Sequence, residues 1–138
     1  MNIIKKVIVT IKKLDQFEFR EFIAKEWKKR ELICTELLVP DSVEEQINFV
    51  YYGLYFNDKI VGYISVWKNN EGTMNRLYVA AEYRRLGIAK RVLKELSIIA
   101  AFTHVCNKKA IDFYTMLGFE EVNKVIGKNP TVAMIKLN

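Results

Sequence analysis

The stretch that most constrains this chain runs from Leu77 to Leu96, LYVAAEYRRLGIAKRVLKEL. It joins a β-branched and aromatic run to a turn dense in positive charge, and that turn to a segment of helical period. A strand, an anion-binding loop and a helix are therefore expected in succession. Arg84, Arg85, Gly87 and Ala89 fall where strand gives way to helix, so backbone N–H groups without an intrahelical partner can converge on one cluster of ligand oxygens. Gly87 and Ala89 leave room for a ligand to approach the main chain, and Arg84 or Arg85 can add charge-assisted hydrogen bonds. The spacing is not a dinucleotide fingerprint, which wants three glycines, nor a P-loop, since no Ser or Thr follows Lys90. Taken alone, the stretch reads equally well as a solvated arginine turn with Gly87 as a simple breaker.

At 138 residues the chain is expected to form one domain, 1–138, long enough to hold a real core. Its 51% hydrophobic content excludes general disorder. No apolar run reaches the length of a membrane span, and the start, MNIIKKVIVTIKK, lacks a small-residue cleavage site, so a cytoplasmic location and no membrane partner are expected. The two cysteines, Cys34 and Cys106, lie far apart with a single histidine, His104, which makes neither a zinc site nor a Cys/His nucleophile pair easy to build. The formal charge of +6 admits nucleic acid, a polyanionic cofactor or simple solubility. The basic residues are scattered and no RNA-binding signature, zinc finger or clear helix-turn-helix is present, which ranks nucleic acid lowest among the partners.

Along the chain, Ile3 to Ile11 alternates as a strand, Asp15 can cap a helix over Phe17 to Trp27, and Ile33 to Val39 is ambiguous. Pro40-Asp41-Ser42 is expected to cap a second helix running through Val43, Ile47 and Val50. Tyr52–Phe56, a turn at Asn57-Asp58-Lys59, and Ile60–Trp67 form a hairpin, and a second turn over Lys68 to Gly72 leads into Thr73–Val79. A helix from Ile88 presents Ile88, Val92, Leu93 and Leu96 on one side. A strand near Ala101 to Val105 follows, then a helix capped by Asn107 with Ala110, Ile111, Tyr114 and Leu117 on one side and Gly118 at its end. Phe119–Ile126 and Thr131–Leu137 close the chain as a hairpin. The fold class is mixed α/β, and a strand-helix-strand crossover through residues 84–89 places its two strands parallel.

RRLGIA, Arg84 to Ala89, resembles the (Arg/Gln)-x-x-Gly-x-(Gly/Ala) loop of the GNAT superfamily of acyl-CoA N-acyltransferases. LYV at Leu77 to Val79 is similar to that family's fourth strand, and NKKAIDFYTMLGF, Asn107 to Phe119, to its second signature. The resemblance covers roughly residues 53 to 137. It implies a mixed central sheet of about six to seven strands flanked by about four helices. It also implies acetyl-CoA as acyl donor, an amine acceptor as partner and no metal. Backbone groups of Leu77, Tyr78 and Val79 would then pair with the pantetheine arm, and Arg84, Arg85, Leu86, Gly87, Ile88, Ala89 and Lys90 would take the pyrophosphate. Asn107 would contact the pantetheine or an ordered water, although a plain helix cap explains it almost as well. Tyr114 would be the general acid for the leaving thiolate. The region around 31–45 would lie over the acceptor, where Glu31, Glu36, Asp41, Glu44 and Glu45 either attract a cationic amine or are solvated helix charges.

The chain departs from the family in its short interval from Gly87 to Asn107. It also offers Thr73 and Asn75 where many relatives carry a carboxylate, so the general base is unassigned and Glu71 is the nearest acid. The function expected is direct acetyl transfer to a primary amine of a small molecule, peptide or protein. The alternative is a non-catalytic acyl-CoA-binding sensor or interaction module, and a homodimer is left open.

Overall fold

The computed structural model describes residues 9–29, 43–105, 107–125 and 130–136. Seven strands form one sheet: β1 (Val9–Lys13), β2 (Phe49–Phe56), β3 (Lys59–Trp67), β4 (Asn70–Val79), β5 (Ala100–His104), β6 (Phe119–Val125) and β7 (Thr131–Lys136). Their spatial order is β1-β2-β3-β4-β5-β7-β6. Every neighbouring pair is antiparallel except β4 and β5, which are parallel across an intervening helix, as the crossover through residues 84–89 requires.

Local chemistry explains the turns. Phe56 pairs with Lys59, and Asn57 and Asp58 between them have φ of 51° and 62°, the left-handed pair that a two-residue hairpin with the right twist needs. Helix α1 (Gln16–Lys29) starts where Asp15 Oδ1 accepts the Glu18 N–H at 2.8 Å. That same backbone N–H holds the Asp15 carboxyl below its ordinary range. Helix α2 is one turn, Val43–Gln46, and this corrects the longer helix expected through Val50. Phe49-Val50-Tyr51-Tyr52 is β-branched and aromatic, and Val50 pairs with Val66 in the ladder, so sheet pairing overrides the helical spacing. The expected strand before Val9, the ambiguous stretch at Ile33–Val39, Cys34, Cys106 and the tip of the last hairpin lie outside the described residues.

The sheet carries a core on each face. On one, α1 packs Phe19, Phe22 and Ile23 against Tyr51, Tyr63 and Tyr78. On the other, α3 (Ile88–Glu95) and α4 (Lys108–Met116) pack Ile88, Val92, Leu93 and Tyr114 against Leu54, Ile64, Met74, Val132 and Met134. A bulge in β4 decides which core Met74 joins. Ser65 pairs with Arg76 but Val66 pairs with Met74, so Asn75 is an extra residue. Strict alternation would put Met74 on the face of Arg76 and Tyr78; the extra residue turns it to the α3 and α4 face.

Candidate functional site

The parallel pair β4 and β5 joins over a short distance only. Thr73 faces Ala100 and Met74 faces Ala101, and beyond them no pairing of Asn75–Val79 with Phe102–His104 exists among the described residues. The two strands therefore part into a wedge whose closed end is at Met74. Ala80 N–H donates to Val61 O in β3 at 2.8 Å, so by the two-residue period of a strand Tyr78 also addresses β3. Leu77 and Val79 consequently aim their backbone groups at the wedge. These are two of the three positions assigned to a pantetheine arm by resemblance, the third, Tyr78, turning its backbone groups to β3, and the wedge leaves the N–H and C=O groups of Leu77 and Val79 without a β5 ladder partner among the described residues.

At the open end of the wedge the chain makes a 3-10 turn, Ala81–Tyr83, and then the loop into α3. Arg85 has φ of 66°, and Gly87, at the N-cap of α3, has φ of 79°. A Cβ built on Gly87 would meet nothing within 4 Å, so the loop borders open space on the side from which a ligand could reach the backbone. Gly87, the N-cap of α3, has no side chain with which to cap it, and the first turn holds Lys90 and Arg91 and no acid. Cations at the positive end of a helix dipole are unfavourable by about 0.3–1 kcal/mol each, and the sign reverses when an anion binds there. Arg85, Leu86, Gly87 and Lys90 are exposed, Ala89 is half-buried, and Ile88 is buried and fixes the helix to the sheet.

Arg84 behaves differently from Arg85. Its Nε donates to Val79 O at 2.7 Å and its guanidinium lies 5.4 Å from the centre of the Tyr78 ring. Tyr78 in turn donates its hydroxyl to the buried carboxylate of Glu26 at 3.0 Å. Glu26 Oε2 meets Lys29 Nζ at 2.8 Å, and Lys29 reaches Glu82 at 3.2 Å. The Glu26 hydrogen bond raises the Lys29 ammonium above its ordinary pKa, and Lys29 lowers that of the Glu82 carboxyl. Sequence reasoning missed Glu26, although its signal was visible: it lies on the same helix face as Phe22 and Ile23, where a carboxylate needs a partner.

Tyr114 sits at the closed end of the wedge. Its ring packs 5.6 Å from both Phe113 and Phe119, and its hydroxyl points at Met74 Sδ, 3.8 Å away. The side chain is 5% exposed, and burial pushes its phenol pKa well up, so it is a protonated donor at neutral pH. Asn107, at the start of the same helix, accepts the Ala110 N–H on its Oδ1 at 3.2 Å, an Asx cap that fixes where α4 and hence Tyr114 begin.

The acids and polar groups near the bulge are engaged. Asn75 Nδ2 donates to Ser65 Oγ at 3.3 Å, and Glu71 Oε1 accepts the Tyr52 hydroxyl at 2.7 Å. The hydrogen bond to Glu71, aided by burial, pushes the Tyr52 phenol up to about 12. His104 ends β5. Among the described residues no group of three or more His, Cys, Asp or Glu side chains is placed to hold a metal, and no helix is long and apolar enough to cross a membrane.

The family model described as an acetyltransferase (GNAT) domain matches residues 47–121, more than half of the chain and the whole of the wedge and loop. An uncharacterized N-acetyltransferase of Bacillus pumilus (strain SAFR-032) is 25% identical over 146 aligned positions, covering 94% of this chain and 89% of the relative. N-alpha-acetyltransferase 50 of Danio rerio is 36% identical over 81 positions, 48% of each chain. Among solved structures, Arabidopsis thaliana Naa50 in complex with the bisubstrate analogue CoA-Ac-MVNAL superposes with a TM-score of 0.65 at 18% identity, covering 94% of this chain and 99% of that one.

Proposed function

The chain belongs to the GNAT acetyltransferase family, and on that premise we propose that it transfers the acetyl group of acetyl-CoA directly to a primary amine within a ternary complex. The observation that carries this reading is the start of α3: an uncapped helix N-terminus with a cationic first turn, a left-handed glycine bordering open space, and a strand edge leading away from it. An anionic head joined to an extended, amide-bearing arm fits that combination. The pyrophosphate takes the N–H groups of the 84–90 loop, with Arg85 and Lys90 beside it, and the pantetheine arm takes the wedge-facing groups of Leu77 and the N–H of Val79, whose carbonyl Arg84 already holds.

The donor supplies an activated thioester carbonyl. N–H groups of β4 polarise it, and the acceptor nitrogen attacks its carbon while the carbon–sulfur bond breaks. Tyr114 gives the departing sulfur its proton; its buried, protonated hydroxyl already lies beside a sulfur atom, that of Met74, at the closed end of the wedge. Asn107 serves this step by setting the start of α4, and its amide nitrogen is the group available to the pantetheine or to an ordered water. The acceptor must be neutral before it attacks, and the proton its nitrogen loses as the amide forms returns through water to the Tyr114 phenolate. An α-amine, with an ordinary pKa of about 8, is neutral at pH 7 far more often than a lysine side chain at about 10.4, which makes peptide N-termini the first acceptors to try. The bisubstrate complex of the Arabidopsis protein, which joins CoA to a peptide, supports that choice.

Calorimetric titration with acetyl-CoA, followed by thiol release over a panel of N-terminal peptides, lysine-bearing peptides and polyamines, tests the proposal. Binding with amine-dependent thiol release is expected. Binding without release from any amine favours the sensor reading, and absence of binding overturns the donor assignment.

A further inference from the structure

The two adjacent arginines of the loop share a sequence context but not an environment, and the difference traces back to a residue on the other face of the sheet. Arg84 bends away from the loop: its Nε grips the wedge-facing carbonyl of Val79, and its guanidinium covers the ring of Tyr78. That ring is held at its far end by Glu26, the one charged residue buried among the described residues, at 3% exposure. A buried carboxylate is costly unless fully partnered, and here Tyr78 and Lys29 partner it. Lys29 also binds Glu82, in the turn that leads directly to Arg84. The last turn of α1 is thus fastened on both sides of the point where β4 becomes the loop, at Tyr78 before it and at Glu82 after it.

We propose that Glu26, Tyr78 and Arg84 are positioning residues for the acyl donor: they fix the root of the 84–90 loop against β4 so that its N–H groups stand where the phosphates arrive. This rests on the donor assignment above. The physical logic is preorganisation. Arg85 and Gly87 hold left-handed backbone in an exposed segment, and such a loop keeps one geometry only if its ends are tied. Donation of the Tyr78 hydroxyl to a carboxylate makes the ring a better partner for the guanidinium above it, so the charge of Glu26 is felt at Arg84. The role falls on the anionic half of the donor, because the contacts described for the three gather where β4 becomes the loop.

The test compares two donors, acetyl-CoA and S-acetylpantetheine, which shares the thioester and the arm but lacks the nucleotide phosphates. In Tyr78→Phe and Arg84→Lys the KM for acetyl-CoA is expected to rise about five- to tenfold, the size of one such hydrogen bond, with kcat within about twofold. Turnover of S-acetylpantetheine stays within about twofold of the wild type, and the double variant loses little more than either single one because both cut the same chain. Equal losses on both donors would make the residues merely structural and overturn the proposal, as would an unchanged KM for acetyl-CoA in Arg84→Lys. Arg84→Lys is a surface change and decides the matter even if Tyr78→Phe fails to fold. Titration of the wild type comes first: no binding of acetyl-CoA sinks the donor assignment and this proposal together, whereas tight wild-type binding with unaffected variants sinks the proposal alone.

Discussion

Helices α3 and α4 begin in opposite ways. At α4 the side chain of Asn107 turns back and accepts the Ala110 N–H, so the helix start is satisfied from within the chain. At α3 the N-cap is Gly87, which has no side chain to turn back, and the first turn adds positive charge to an end that is already positive. Both helices follow strands, both pack on the same face of the sheet, and both have a stretch of the recognised family at their start. What separates them is the N-cap: Asn107 satisfies a first-turn N–H of α4 with its side chain, and Gly87 has none to offer at α3. A helix start left open, and made more positive than folding alone would favour, is a place prepared for an anion.

The largest expected break in this comparison is Gly87→Glu. The side chain would project into the open space beside the α3 start, bring a negative charge there, and adopt a left-handed backbone that costs a non-glycine about 1 kcal/mol. Acetyl-CoA affinity is expected to fall by at least about a hundredfold, with the fold retained; calorimetry that returned wild-type affinity would remove the phosphate site from this loop. Next comes Tyr114→Phe, carried by the satisfied helix. Transfer slows about a hundredfold in kcat, the scale of a lost general acid, while acetyl-CoA affinity holds and stability changes by about 1 kcal/mol or less, since the hydroxyl's contact is to a thioether. Steady-state rates beside thermal unfolding would separate the two; undiminished kcat would return Tyr114 to the core as a packing residue.

Smaller still is Asn107→Ala, which removes the cap and costs about 1 kcal/mol of stability, while Asn107→Asp keeps an acceptor and restores it. If denaturant unfolding showed no loss in Asn107→Ala, the contrast between the two helix starts would lose its foundation. The mildest effect is alkaline. Tyr52 has a folded-state pKa of about 12 against an unfolded value near 10, so its neutral phenol favours the folded state. That contribution is complete below about pH 10 and is lost as pH rises towards about 12. Tyr114 shifts in the same direction through burial. Ultraviolet titration should show late-ionising phenols in the folded protein, one of which moves earlier in Glu71→Gln.

Much of the fold was legible because its signals are local. The Asp15 and Asn107 caps, the Asn57-Asp58 turn, the apolar side of α3 and the glycine after α4 each depend on residues a few positions apart, and each stands where the periodicity and turn chemistry put it. The failure at α2 is equally physical. Val43, Ile47 and Val50 have helical spacing, yet Val50 gains a ladder partner in Val66, and no reading of short-range spacing can weigh that distant pairing. The Asn75 bulge was hidden for the same reason, since an extra residue in one strand exists only relative to its neighbour.

By itself the sequence determined the succession of strand, cationic loop and helix, because backbone geometry and charge at a helix start are properties of neighbouring residues. It also determined membership of the family through motifs short enough to read in a line. Tertiary structure alone decided that β4 and β5 separate beyond Met74, that Tyr114 lies at the closed end of the resulting wedge, and that two adjacent arginines differ. Arg84 is drawn to Val79 and to a tyrosine held by Glu26, fifty-two residues before that tyrosine in the chain. Such contacts depend on which surfaces packing brings together, and a linear pattern carries that information only after the chain has closed on itself.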